Sequence, residues 1–178
     1  VPGKMKPSMN VEILSAQFQA NAKRIQALVE GVDEIQARWK PTPETWSLLE
    51  VLNHLYEEEM LDFRQRLQIL LSESGAEWPP INPQVWVTER AYNTRDLSQS
   101  LQNFLDERQK SIEWLSLLEN PNWQARAATP WGGEMSAGDM FAAWAAHDLL
   151  HIRQLVELHW AWLNQHSQGC QIAYAGDW

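Results

Sequence analysis

The stretch Trp46-Ser47-Leu48-Leu49-Glu50-Val51-Leu52-Asn53-His54-Leu55-Tyr56 decides how the rest of the sequence is read. Ser47 followed three residues later by Glu50 is a capping box, in which each side chain meets the other's backbone N–H. Trp46 and Val51 stand where a hydrophobic staple closes over the first turn. The helix so begun carries an apolar stripe of Leu48, Leu52, Leu55, Tyr56, Phe63, Leu67 and Leu70, which takes it to about Leu71.

The same grammar recurs on both sides. From about Asn10 to Val32, Val11, Leu14, Phe18, Ile25, Val29 and Val32 repeat at helical spacing, with Gly31 near the stop. Downstream, Asn93 with Asp96, and Tyr92 placed to staple onto Leu97, predict a third helix that stops before Pro121. Its stripe is Leu97, Leu101, Phe104, Leu105, Ile112 and Leu115. Ser136 with Asp139, flanked by Met135 and Met140, starts a fourth helix whose apolar pattern reaches about Trp162. No comparable strand pattern is present. Four amphipathic helices in a chain of this size bury their stripes most economically as a four-helix bundle, so the fold class is all-α. The connections Val32 to Trp46, Ser72 to Tyr92 and Asn120 to Met135 are longer than a simple up-down bundle needs, and at least one is expected to cross it. Two of them contain Trp39-Lys40-Pro41-Thr42-Pro43 and Trp78-Pro79-Pro80-Ile81-Asn82-Pro83, a composition for stiff, packed loops.

Composition narrows the function. A length of 178 residues suits one domain, expected to span residues 1–178. Lys and Arg number 14 against 23 Asp and Glu, a net charge of −9, so no broad basic face exists for nucleic acid or an anionic membrane. No apolar run approaches a membrane span, and the polar start from Val1 to Asn10 has no signal-peptide core. The single Cys170 cannot form an internal disulfide, which suits a reducing cytoplasm. Most of the 11 Trp are expected to anchor core and loops.

The chemistry lies in His147-Asp148-Leu149-Leu150-His151. Two imidazoles four residues apart share one helix face, and the wheel puts both in the centre of the apolar stripe with Met140, Trp144, Leu155 and Leu158. Each buried ring must find partners for two nitrogens, and a shared cation satisfies one of each. The competing reading is a pair of core histidines with ordinary partners. A catalytic zinc-type site needs a third protein ligand. His54 is the best candidate; His159 and His166 fall at the stripe edge and past the helix end. The wheel nevertheless sets His54 almost opposite Leu52, in a minor arc with Val51 and Leu61, which requires this part of the helix to be buried on two sides. Glu59 projects into the buried stripe, either to orient a ligand or to form an ion pair with Arg153 or an Arg of the third helix. Gln154 could orient substrate or cap the pocket, and Asp148 is expected to face a neighbouring helix or solvent.

Trp46-Ser47-x-x-Glu50-x-x-x-His54-Leu55 followed by Glu59, and later His147-x-x-x-His151-x-x-Gln154, together resemble the DinB-like superfamily in its DinB_2 branch. Trp39, Pro41 and the closing Tyr174-Ala175-Gly176-Asp177-Trp178 add to the likeness, which extends over most of the chain. The resemblance implies an up-up-down-down bundle, frequently a homodimer, with one divalent metal, zinc or nickel, on His54, His147 and His151. It also implies a small-molecule substrate and either thiol-dependent transfer, with a low-molecular-weight thiol as cofactor, or hydrolysis. The alternative is a metal-binding or interaction module without catalysis.

Overall fold

The computed structural model describes residues 9–176; Asp177 and Trp178 of the closing run, and the residues before Met9, lie outside the described residues. The helices are α1 (Val11–Val29), α2 (Glu34–Arg38), α3 (Leu48–Glu58), α4 (Arg64–Ser72), α5 (Pro83–Glu89), α6 (Leu97–Ser116) and α7 (Ala137–His166). A single π-helical segment, Glu59–Phe63, joins α3 to α4, so the second long helix is continuous in sequence with a widened turn in its middle.

Local signals explain the helix starts. Both capping boxes form: Ser47 Oγ accepts from Glu50 N at 3.1 Å while Ser47 N donates to Glu50 Oε2 at 2.8 Å, and Ser136 and Asp139 do the same at 3.0 and 3.1 Å. Asn10 caps α1 through Ile13 N. The third long helix departs from expectation. Its cap is Asp96, accepting from Gln99 N at 2.7 Å, and Asn93 lies in a 3-10 turn before it. Asn93 instead accepts from Ser47 Oγ at 2.6 Å and donates to Arg38 O, tying this turn to the start of α3. The absence of strands is also corrected: β1 (Arg126–Ala128) and β2 (Glu134–Ser136) form a short antiparallel hairpin between α6 and α7. Three residues per strand are too few for an alternating pattern to stand out.

In the bundle, α1 packs on α7 and α6, and the α3–α4 helix packs on α6 and α7. Cross-helix contacts give the directions. Asn21 meets Ala145 and Asp148 while Leu28 meets His159, so α1 and α7 run parallel. Asn53 meets Ser100, and Arg64 meets Ser111, so the α3–α4 helix and α6 are parallel. His54 faces His151 whereas Glu59 faces Trp144, so the α3–α4 helix opposes α7. The order is therefore up-down-down-up, which corrects the up-up-down-down expectation. The chain between Ser72 and Leu97, with α5 inside it, makes the return that two parallel helices require.

Two apolar clusters fill the interior. One gathers Ile25, Val29, Leu49, Leu52, Phe104 and Leu155, the other Phe18, Leu67, Leu70, Met140, Phe141 and Trp144. Between them Asn21, Glu59, Arg108 and Asp148, one from each long helix, form a buried polar network.

Candidate metal centre

α3 is an inner helix. Every residue in it except Tyr56 is buried, because α2, α5 and the Tyr92–Thr94 turn cover the sides that α6 and α7 leave open. This removes the helical-wheel objection to His54, which is only 5% exposed and points at α7. One helical turn separates His147 from His151 on α7, so both rings reach the same point.

The three Nε2 atoms form a triangle. His54 lies 3.1 Å from His151 and 3.4 Å from His147, and His147 and His151 are 3.1 Å apart. A tetrahedral ion with metal–nitrogen bonds of about 2.0–2.1 Å sets its imidazole nitrogens about 3.3–3.4 Å apart, so the donor set fits a divalent ion with little movement. Among the described residues no other group of His, Cys, Asp and Glu converges in this way.

Electrostatics favour the neutral, ligating form of each ring. Burial, reinforced by the neighbouring His151, pushes His54 down to about 3. Burial, then His151, His54 and Arg108, pushes His147 down to about 2. His151 is lowered by burial as well, against the pull of Gln154 and Asp148. Gln154 Oε1 stands 2.8 Å from His151 Nδ1, which places the proton on Nδ1 and leaves the Nε2 lone pair facing the centre. Gln154 thus touches a histidine and also lines the cleft. His54 Nδ1 is buried without a hydrogen-bond partner. Trp46 packs over the group, its ring centroid 4.8 Å from His54 and its plane parallel to His151 at 6.4 Å. Phe63, from the π-helical segment, closes the His147 side at 4.9 Å.

Glu59 belongs elsewhere. Both its oxygens accept from Arg108, at 2.9 and 2.8 Å, and Trp144 Nε1 donates to it at 3.0 Å. Arg108 also grips Asp148 with two bonds of 2.8 and 2.7 Å, and Asn21 donates to Asp148 at 3.1 Å. Burial works against the guanidinium charge, but the two carboxylates hold Arg108 above its ordinary value. The ion-pair reading of Glu59 with a third-helix Arg is therefore the one realised. Arg153 pairs with Glu157 on the surface. Asp148 faces inward, and His159 and His166 are occupied by Leu28 O and Trp162 O.

The residue missed from sequence is Glu58. Glu57 pairs with Arg90 and Arg95, Glu59 with Arg108, and Asp62 with Arg66, but Glu58 is 5% exposed with its Oε2 3.5 Å from His147 Nε2. Burial, then the charge of Asp62, raises it to about 8, with Arg66 opposing. Three consecutive glutamates on an apolar helix were the available signal, but periodicity does not say which one has no cation. The histidines and Glu58 lie in a cleft of about 520 Å³, walled by Glu44, Thr45 and Trp46 before α3 and by Pro83 and Gln84 of α5. A larger cavity of about 720 Å³, between the end of α4 and the hairpin, contains no histidine.

No curated protein matches the chain. Among solved structures it is similar to YfiT from Bacillus subtilis, described as a probable metal-dependent hydrolase with an unusual four-helix bundle topology. The two share 19% identity with a TM-score of 0.75, over 88% of this chain and 93% of that one, a likeness of fold. The sequence profile of the DinB superfamily matches residues 17–155, most of the chain, and the protein therefore belongs to the DinB superfamily.

Proposed function

We propose that the protein is a metal-dependent hydrolase acting on a small molecule, with His54, His147 and His151 holding zinc or nickel. The observation that carries this reading is the triangle of three Nε2 atoms in a solvent-accessible cleft, with no fourth protein ligand among the described residues. Structural zinc fills four protein positions, whereas catalytic sites use three and leave room for water or substrate. When bound, such an ion supplies Lewis acidity, polarising a carbonyl and lowering the pKa of water to about 7.

The chain's own residues hold and orient. Neutral imidazoles leave the charge of the ion undiminished, and Gln154 keeps the His151 tautomer correct. Trp46 and Phe63 exclude water from two sides of the ligands. The Arg108 network fixes α7 against α3 and so fixes the separation of His54 from His147 and His151. YfiT's description as a hydrolase supports this choice over thiol transfer.

The test is to load purified protein with zinc or nickel and supply esters and amides, with and without low-molecular-weight thiols, beside His151→Ala. Turnover independent of thiol and lost in the variant is expected. Turnover that requires thiol would replace hydrolysis with transfer, and none with any substrate would leave a metal-binding module.

A further inference from the structure

We infer that Trp46 is a positioning residue of the metal centre: its indole face receives the Nδ1–H of His54 and so keeps the Nε2 lone pair of that ring turned toward the ion. The inference rests on the three-histidine metal reading and is independent of the reaction.

A histidine that ligates through Nε2 carries its proton on Nδ1, and such ligands ordinarily give that proton to a carboxylate, a carbonyl or water. His151 does so, with Gln154 Oε1 2.8 Å from its Nδ1. His54 does not: its Nδ1 is sealed from solvent and has no nitrogen or oxygen partner among the described residues. A buried N–H left without any acceptor is costly, so what lies against this edge of the ring decides how firmly His54 is held.

The aromatic rings beside His54 are those of His147, His151 and Trp46. The two histidines meet it on the Nε2 side, where the three nitrogens converge. Trp46 is the remaining neighbour, with ring centroids 4.8 Å apart and planes inclined at 56°. A tilted pair at this separation brings the edge of one ring toward the face of the other, and the face of an indole is its negative surface. An N–H aimed there makes a weak hydrogen bond, one that strengthens as the ion draws charge from the imidazole. Against His151 the same indole lies parallel at 6.4 Å, so it offers that ring no such acceptor, and Gln154 supplies one instead.

The chain holds the indole in place. Trp46 immediately precedes Ser47, the N-cap of α3, whose capping box fixes the entry into the helix, and its side chain packs on the apolar cluster of Leu49, Leu52 and Leu155. His54 lies in the second turn of α3, so both members of the pair are set by one element.

Proton–nitrogen NMR on zinc-loaded protein labelled at histidine reads the ring protons directly. The Nδ1–H of His151, bonded to Gln154, is expected downfield, and that of His54 is expected upfield of it, displaced by the ring current of the indole. Trp46→Leu should abolish the displacement and weaken zinc binding about tenfold, the low end of what losing the outer partner of a ligand costs. Trp46→Phe, which restores an aromatic face, should recover most of both. A His54 Nδ1–H as far downfield as that of His151 in the unaltered protein overturns the proposal without recourse to any variant. Trp46→Phe binding zinc no better than Trp46→Leu, or Trp46→Leu binding it as well as the unaltered protein, overturns it too. Protein that takes up no zinc, or whose His54 Nε2 shows no zinc-bound shift, fails at the metal reading itself, and the proposal falls with it.

Discussion

Two polar centres share the α3–α4 helix and α7 in this bundle, the first drawing in α6 and α1 as well, and they are finished in opposite ways. In the Glu59–Arg108–Asp148 centre each charge meets its opposite through paired hydrogen bonds, and Trp144 and Asn21 take up further lone pairs. In the His54–His147–His151 centre three nitrogens face one another, and among the described residues one ring nitrogen has no hydrogen-bond partner and the buried Glu58 carboxylate at the edge pairs with no Lys or Arg. Burial alone does not separate a structural polar group from a functional one. Completion does: a closed network locks a packing arrangement, whereas an incomplete one lined up on a cleft is disposed to take something in.

The sharpest way to break this contrast is to open the closed centre. Arg108→Met leaves Glu59 and Asp148 buried and unpaired, and should cost about 3–5 kcal/mol in denaturant unfolding. A loss below about 1 kcal/mol would mean the network does not hold the bundle together. His151→Ala, by contrast, should change the stability of metal-free protein far less.

Next come the ligands. His54→Ala, His147→Ala and His151→Ala should each largely abolish bound metal by elemental analysis, while His159→Ala, whose ring bonds Leu28 O and Gln36, retains it. Full metal content in His54→Ala would refute the triad at its least obvious member. A smaller effect is expected for Gln154→Leu, which removes the partner of His151 Nδ1 and should weaken metal affinity by about 10–100-fold with the fold intact.

A last set of tests uses pH. His54 and His147, held down to about 3 and about 2, return to about 6.5 in the unfolded chain, which therefore binds more protons over that interval. The histidine contribution to the stability of metal-free protein should be complete above about pH 6.5 and be lost progressively on acidification. Glu58, raised from 4.5 to about 8, has the opposite sign: the folded state holds the extra proton, so stability declines as pH rises through that range. Urea midpoints of metal-free protein should show Glu58→Gln removing the decline above about pH 6.5 and leaving the slope below about pH 4.5 unchanged. An unaltered alkaline slope would sink the view of Glu58 as a buried carboxylate without a cation.

Much of the site was legible before any fold was known. His147 and His151 were set by a four-residue spacing, whereas Gln154 came with the family-like motif, as a residue to orient substrate or cap the pocket, and its bond to His151 Nδ1 is seen only in the structure. Glu59 was marked as buried, with an Arg of the third helix among its possible partners, but Arg108 itself could not be named, because ion-pair partners come from different helices. His54 was obscured because a wheel assumes one buried face, and α3 is buried nearly all round. Glu58 was missed for the same reason: it lies in the regular part of α3, off the main stripe, and periodicity does not say which of three glutamates has no Lys or Arg beside it.

What the sequence determined by itself is everything governed by neighbours within a turn or two: the capping boxes at Ser47 and Ser136, the four long stripes, and the shared face of His147 and His151. These depend on geometry that the chain carries locally, so one strand of text suffices. The tertiary structure alone decided the up-down-down-up order, the Asp96 start of α6, the union of His54 with α7, and which of three glutamates has no Lys or Arg partner among the described residues. Those depend on which surfaces meet across the bundle, and local periodicity is the same whichever way a helix points.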